Sequence, residues 1–249
     1  MLIVLPPSET KRGGGIEGTR LDLKLLSYPD LTKSRRSVLA ATRSLSSNCA
    51  TMSAALKLGP SQRFEVLRNR ELRTSATCAA IERYTGVLYD ALDAASLDDA
   101  ARAFAARTVV IHSAMFGLLG SDDPIPAYRL SHDSRLPAFS LKNTWKCGIS
   151  AEFRRHGGLV LDLRSEAYVE LGPLPSEIES YYLRLVSSGP DGQKRALNHF
   201  NKKGKGEFTR AVIVAGVDHP NVASLLEWAR QNGLRLERGR PRELVLEVG

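Results

Sequence analysis

The sequence predicts an α/β protein: a single compact domain over residues 1–249, with a mixed, partly parallel sheet flanked by helices and a basic helical hairpin inserted near the N-terminus at about 30–72. Three observations carry this reading. Short runs rich in Val, Ile and Leu recur along the chain, segments with helical spacing fill the intervals, and no internal repeat or long low-complexity linker divides it. With 249 residues, 43% of them hydrophobic and 25% charged, the chain holds enough apolar material for one full core.

The elements follow in order. Leu2–Leu5 is apolar at once, meets Pro6-Pro7 and has no charged leader, so it reads as a buried strand and not as a signal peptide. Residues 32–47 and 61–72 are polar and basic, with Val38, Leu39 and Leu45 at helical spacing. Between them Gly59-Pro60 breaks the helix, giving a hairpin whose turn can offer backbone amides to a phosphate. Thr74 or Ser75 is placed to cap a helix running to about Leu92. Val109–His112 and Leu159–Leu163 are continuous apolar runs, as expected of strands covered on both faces, and Tyr181–Val186 is a further strand candidate. Asp218 with Pro220 signals a helix start; Val222, Leu225, Leu226 and Ala229 share one face of that helix, and Gly233 ends it. Glu243–Val248 alternates apolar and charged residues like a half-exposed edge strand.

Polar chemistry collects after the buried strands. The first runs into Ser8 and Glu9, the second into Ser113, and the third into Arg164, Ser165 and Glu166. If these strands are parallel, their carboxyl ends open on one edge of the sheet, where open α/β folds bind ligands. The loop after Ser113 adds Asp122, Asp123, Tyr128 and Arg129. Hydroxyls beside carboxylates suit acid–base work, which makes Ser113, Ser165, Glu166 and Glu9 the catalytic candidates; each is also a natural cap or turn former.

Several chemistries are set aside. No run approaches the length of a membrane span, so no membrane partner is expected. Cys49, Cys78 and Cys147 form neither a disulfide framework nor a zinc signature and suit a reducing compartment, with the cytoplasm as default. There is no G-x-S-x-G, and Gly13-Gly14-Gly15 lacks the ending of a phosphate-binding P-loop. The five histidines show no metal spacing, so neither metal nor cofactor is expected. His112 and Trp145 read as core residues.

The net charge of +8 is segregated. Residues 11–70 carry twelve Lys/Arg against four Asp/Glu, and residues 194–210 carry six against one, leaving the remainder acidic. Two basic blocks in an otherwise acidic chain point to a polyanionic partner, although charged runs also serve simply as solvated faces. The second block, Asn198 to Arg210, interleaves Lys202, Lys203 and Lys205 with Phe200, Phe208 and two glycines, a composition suited to nucleic-acid contact. Phe200 and Phe208 are equally suited to core anchoring.

In this order the segments resemble the YaaA peroxide-stress family. The similarity rests on Leu5-Pro-Pro-Ser-Glu-Thr10, Tyr84-Thr-Gly-Val-Leu-Tyr89, Ser113-Ala-Met-Phe-Gly-Leu-Leu119 with Ala127-Tyr-Arg-Leu130, Trp145, Asp162-Leu-Arg-Ser-Glu-Ala-Tyr168 and the lysine-rich run ending at Arg210. The resemblance implies a positively charged cleft, binding of structured or damaged DNA through a helical hairpin and cleft, and a part in peroxide resistance. By position it places Lys202, Lys203, Lys205, Arg210 and Arg129 in the cleft, with Arg164 as a compensating cation. Glu9 and Gly120 depart from the basic residues of many relatives, and the hairpin lacks their pair of glycines. Two other readings stand beside DNA binding. One is an enzyme acting on a nucleic acid or nucleoside through the strand-end Ser/Glu/Arg pocket; the other is an interaction protein with an acidic partner.

Overall fold

The computed structural model describes residues 1–188, 194–196 and 200–248. Its centre is β1 (Leu2–Leu5), every residue of which is buried. It pairs in parallel with β3 (Val109–Ser113) on one side and with β6 (Val160–Asp162) on the other. Beyond β6 the sheet continues in parallel through β7 (Ser180–Ser188) and β10 (Glu243–Glu247), and it ends in antiparallel β9 (Arg235–Arg238). On the far side of β3 lies antiparallel β4 (Gly117–Gly120), while β8 (Lys194–Ala196) folds back on the end of β7. The sheet is therefore mixed, with a parallel centre, and one contiguous core runs through it.

The central strands carry Ile, Val and Leu on both faces because helices cover both. α6 (Asp99–Thr108) leads into β3 and is capped by Asp98, whose carboxylate accepts the Ala101 N–H at 2.8 Å. α7 (Leu141–His156) is capped by Ser140 and lays Trp145 into the core, where its indole N–H donates to the Ala114 carbonyl at 2.9 Å. The ring presses on Gly117, whose φ is +70° and where an added Cβ would come 2.7 Å from the tryptophan.

The expected hairpin becomes three helices: α1 (Thr32–Ser46), α2 (Cys49–Ala55) and α3 (Phe64–Arg70), with α1 packed on both of the others. Gly59-Pro60 does break the chain, into a 3-10 turn at Pro60–Gln62. The Gly59 N–H is taken by the Gln62 side chain at 3.2 Å, so it is not offered outward.

Three expectations are corrected. The helix from Thr74 or Ser75 to Leu92 is replaced by β2 (Cys78–Ala79), paired with β5 (Pro124–Ile125), and by two short helices, α4 (Ala80–Arg83) and α5 (Val87–Leu92). Gly86, at φ +98°, separates those helices. The buried Arg83 guanidinium fixes the bend by donating to the carbonyls of Arg12, Ala76 and Ile125. Asn221, not Asp218, caps α10 (Val222–Gln231), while the Asp218 carboxylate accepts from the Met1 ammonium at 2.5 Å. Glu243–Glu247 is an interior strand. Its charges are met by Arg184, 2.9 Å from Glu243, and by Arg235, 2.9 Å from Glu247, and β9 takes the edge. Among the described residues no helix is long and apolar enough to cross a membrane.

Candidate functional site

The carboxyl ends of β1, β3 and β6 do face one edge of the sheet, since all three run in parallel. There a cleft of about 760 Å³ opens. Its walls are the loop Pro6 to Thr10 after β1, Thr85 to Tyr89 around the start of α5, and Leu130 to His132. Leu163 to Tyr168, at the start of α8 (Glu166–Leu171), and Tyr182 of β7 complete them, with Asn201, Lys202 and Lys205 in the first turns of α9 (Phe200–Ala215).

The loop after β1 is held from below. Lys11 is buried; its ammonium donates to the carbonyls of Ser8 at 2.8 Å and Glu9 at 3.1 Å and lies 4.1 Å above the Tyr128 ring. Burial pushes its pKa down to about 7, partly opposed by Glu65 and reinforced by Arg129. Tyr89 donates to the Pro6 carbonyl at 2.8 Å. On the rim, Thr10 Oγ1 lies 3.2 Å from the Ser8 hydroxyl and 3.1 Å from that of Thr85, a cluster of three hydroxyls facing the cleft.

Of the catalytic candidates, Glu9, Ser165 and Glu166 line the cleft and are exposed. Ser113 does not line it. Its hydroxyl is buried, shares a 2.7 Å hydrogen bond with the Tyr128 hydroxyl and accepts the N–H groups of Met115 and Phe116. Tyr128 in turn meets Tyr84 at 2.7 Å, and burial holds its pKa up at about 12. Ser113 is thus a turn former that, among the described residues, hydrogen-bonds no base. Asp123 is a staple, accepting from the Ser27 and Gly120 backbone N–H groups and the Ser27 hydroxyl, and neither it nor Asp122 reaches the cleft.

The six expected cleft cations divide. Lys202 and Lys203 are exposed on α9; Lys202 lines the cleft, while Lys203 lies 3.3 Å from Glu207. Lys205 lines it too but is buried, donating to the Leu163 carbonyl at 2.9 Å with its amine 5.1 Å from the Tyr182 ring centre. Desolvation lowers its pKa to about 8, opposed by Asp162. Arg129 is buried against the β1 loop and spans 2.9 Å to Glu9. Arg164 and Arg210 are corrections. Arg164 is wholly buried, clamped on Asp162 by bonds of 2.8 and 2.7 Å, because its guanidinium closes the space between β6, the Gly172 carbonyl and His112. Arg210 turns away to cap the end of α5, donating to the carbonyls of Leu92 and Asp93. Phe208 is core; Asn198 and His199 lie outside the described residues.

Charge and hydroxyl patterning did not single out Lys11, Tyr182 or Asn201. Asn201 brings to the cleft wall a buried side-chain oxygen that has no hydrogen-bond partner among the described residues. Its position one residue before Lys202 was the available signal.

The fold and the site define a class: an α/β protein with a parallel-centred sheet and a polar, lysine-bearing cleft at the carboxyl edge of that sheet. The family model described as peroxide stress protein YaaA matches residues 1–238, and the chain belongs to that family. It is 41% identical over 245 residues to a UPF0246 protein of Corynebacterium glutamicum, covering 95% of each chain. It is 37% identical to UPF0246 proteins of Corynebacterium efficiens, over 100% of both chains, and of Streptomyces coelicolor, over 97% of this chain and 94% of that one.

Proposed function

We propose that the protein binds DNA through the carboxyl-edge cleft, with structured or damaged forms preferred, and that this binding serves the peroxide response for which its family is described. The observation that carries the reading is the start of α9. Exposed Lys202 and buried Lys205 sit one helical turn apart on a cleft also walled by Tyr89, Tyr168 and Tyr182. A cation for phosphate beside aromatic rings is the combination that holds an unstacked nucleotide. Lys203 extends the positive charge outside the cleft, and Arg129 lies behind Glu9. The basic block at 11–70 supports this less than its charge suggests, because Lys11 and Arg35 are buried and bonded to backbone carbonyls.

The test is a salt titration of binding to single-stranded, duplex and gapped or bulged DNA. Affinity that falls steeply with salt, and differs among these shapes, is expected. Binding that is absent, or indifferent to DNA shape, defeats the reading. The enzymatic alternative draws on one observation as well: a cleft-lining amine, Lys205, whose proton affinity is lowered.

A further inference from the structure

We propose that Lys205 captures an aldehyde as an imine, the aldehyde being carried by a sugar phosphate: the open-chain deoxyribose of an abasic site in DNA, or a free phosphorylated sugar. The DNA source rests on the reading of the cleft as a DNA site; the imine chemistry does not.

The three lysines at the start of α9 have different surroundings. Lys202 and Lys203 are exposed, as phosphate-contacting cations are. Lys205 is only 5% exposed yet is part of the cleft wall, and among the described residues it forms no ion pair. Among the described residues its hydrogen bond goes to the Leu163 carbonyl. A buried lysine without a carboxylate partner is poorly suited to holding a charge and well suited to presenting a lone pair. Its lowered pKa agrees, leaving about a tenth of the amines unprotonated at pH 7.

The position of the amine is also fixed. A Cβ on Gly204 would come 2.3 Å from Leu185, and one on Gly206 would come 2.2 Å from the Leu88 carbonyl oxygen, so α9 lies hard against β7 and α5 on both sides of Lys205. Within the same cleft Lys202 supplies charge for a phosphate, and the Ser8, Thr10 and Thr85 hydroxyls supply hydrogen bonds for a sugar.

The step balances without an oxidant or reductant. The Nζ lone pair attacks the carbonyl carbon, and the carbonyl oxygen takes up a proton. The resulting carbinolamine loses that oxygen as water as the nitrogen gives up its proton, so amine and aldehyde yield imine and water.

The full-length protein is incubated with borohydride and one of three probes: a duplex oligonucleotide bearing one abasic site, the same duplex intact, or 2-deoxyribose 5-phosphate. Adducts are located by peptide mass mapping. An adduct on Lys205 of the wild-type chain, forming faster as pH rises through about 8, is expected with the abasic duplex and not with the intact one. Lys205→Met, checked for native folding by thermal melting, should lose it. An adduct on Lys205 with the sugar phosphate alone keeps the imine chemistry and removes the DNA source. Intact-DNA binding in the salt titration with no adduct on Lys205 keeps the DNA reading and overturns the imine. An adduct confined to other amines overturns it too, and because the mapping uses the wild-type chain this holds however the variant folds.

Discussion

The Arg164 guanidinium sits 2.9 Å from Nδ1 of His112, and both side chains are buried. A guanidinium only donates, so Nδ1 is the acceptor and the ring proton resides on Nε2. That Nε2 is buried with no partner among the described residues, so the histidine expected to be a core residue is satisfied on one side only. Burial, and then the adjacent Arg164 charge, hold its pKa well below the usual histidine range.

Acid stability should follow from this pair. The folded state keeps His112 neutral, whereas the unfolded chain protonates it below about pH 6.5. The unfolded state therefore binds more protons on acidification, and stability is lost as pH falls through and below 6.5. His156 and His219, also lowered by burial, act in the same direction. Urea midpoints at pH 7 and 5 should differ in the wild type and differ less in His112→Gln. An equal difference in both proteins would exclude His112 as a contributor.

Arg164→Met should destabilise the protein by about 3–5 kcal/mol, because it strands Asp162 and the Gly172 carbonyl in a dry interior. Its salt dependence of DNA binding, measured at a temperature where the variant is folded, should match the wild type. A reduced slope would mean that Arg164 does reach DNA, against its complete burial.

Lys11 sets a trend at alkaline pH. Its folded pKa of about 7 lies below the ordinary lysine value of 10.5, so between those values the unfolded chain carries the extra proton and stability rises with pH. Lys205 adds the same sign from about 8. Above about pH 10 the trend reverses, because Tyr84, Tyr89 and Tyr168, whose pKa values burial raises, stay protonated in the fold and ionise when unfolded. Denaturation midpoints from pH 7 to 11 should therefore pass through a maximum. Lys11→Met should flatten the rising limb, and an unchanged limb would exclude Lys11 as its source.

Replacing Lys202 and Lys203 together by Ala should lower the salt slope of duplex DNA binding by up to about 2, if each meets one phosphate. The melting temperature should stay close to that of the wild type, since both side chains are exposed. An unaltered slope would remove both lysines from the interface.

Gly206→Ala should cost about 1–3 kcal/mol, the range for overpacking a tight contact, because the new methyl would meet the Leu88 backbone at 2.2 Å. Thermal melting would show it, and a neutral substitution would mean that α5 and α9 separate easily.

Much of the frame was legible because burial on both faces leaves a plain mark: Leu2–Leu5, Val109–Ile111 and Leu159–Leu163 are uninterrupted apolar runs, and all three are central parallel strands. Their shared carboxyl edge located the cleft. Arg235–Arg238 left no such mark, since only Leu236 of its four residues is buried. Charge misled for a related reason. Arg35 and Lys11 look like members of a basic surface, but each is buried and bonded to two or more carbonyls supplied in part by loops. Arg35 draws on Phe116 and Leu118, more than eighty residues away, and no local pattern announces such partners.

The glycines at 204 and 206, part of a composition suited to nucleic-acid contact, are where a helix is pinned against its neighbours. The amine-bearing residues at 202 and 205 therefore keep the spacing of one helical turn, on the order of 5–6 Å between their Cβ atoms. Their two stems start from a fixed interval, and only side-chain rotation adjusts the reach. If Lys202 holds a phosphate and Lys205 an aldehyde as proposed, a guest whose charged and reactive groups match that interval meets both at once, and one that does not must choose between them, so the cleft would work as a ruler as well as a container.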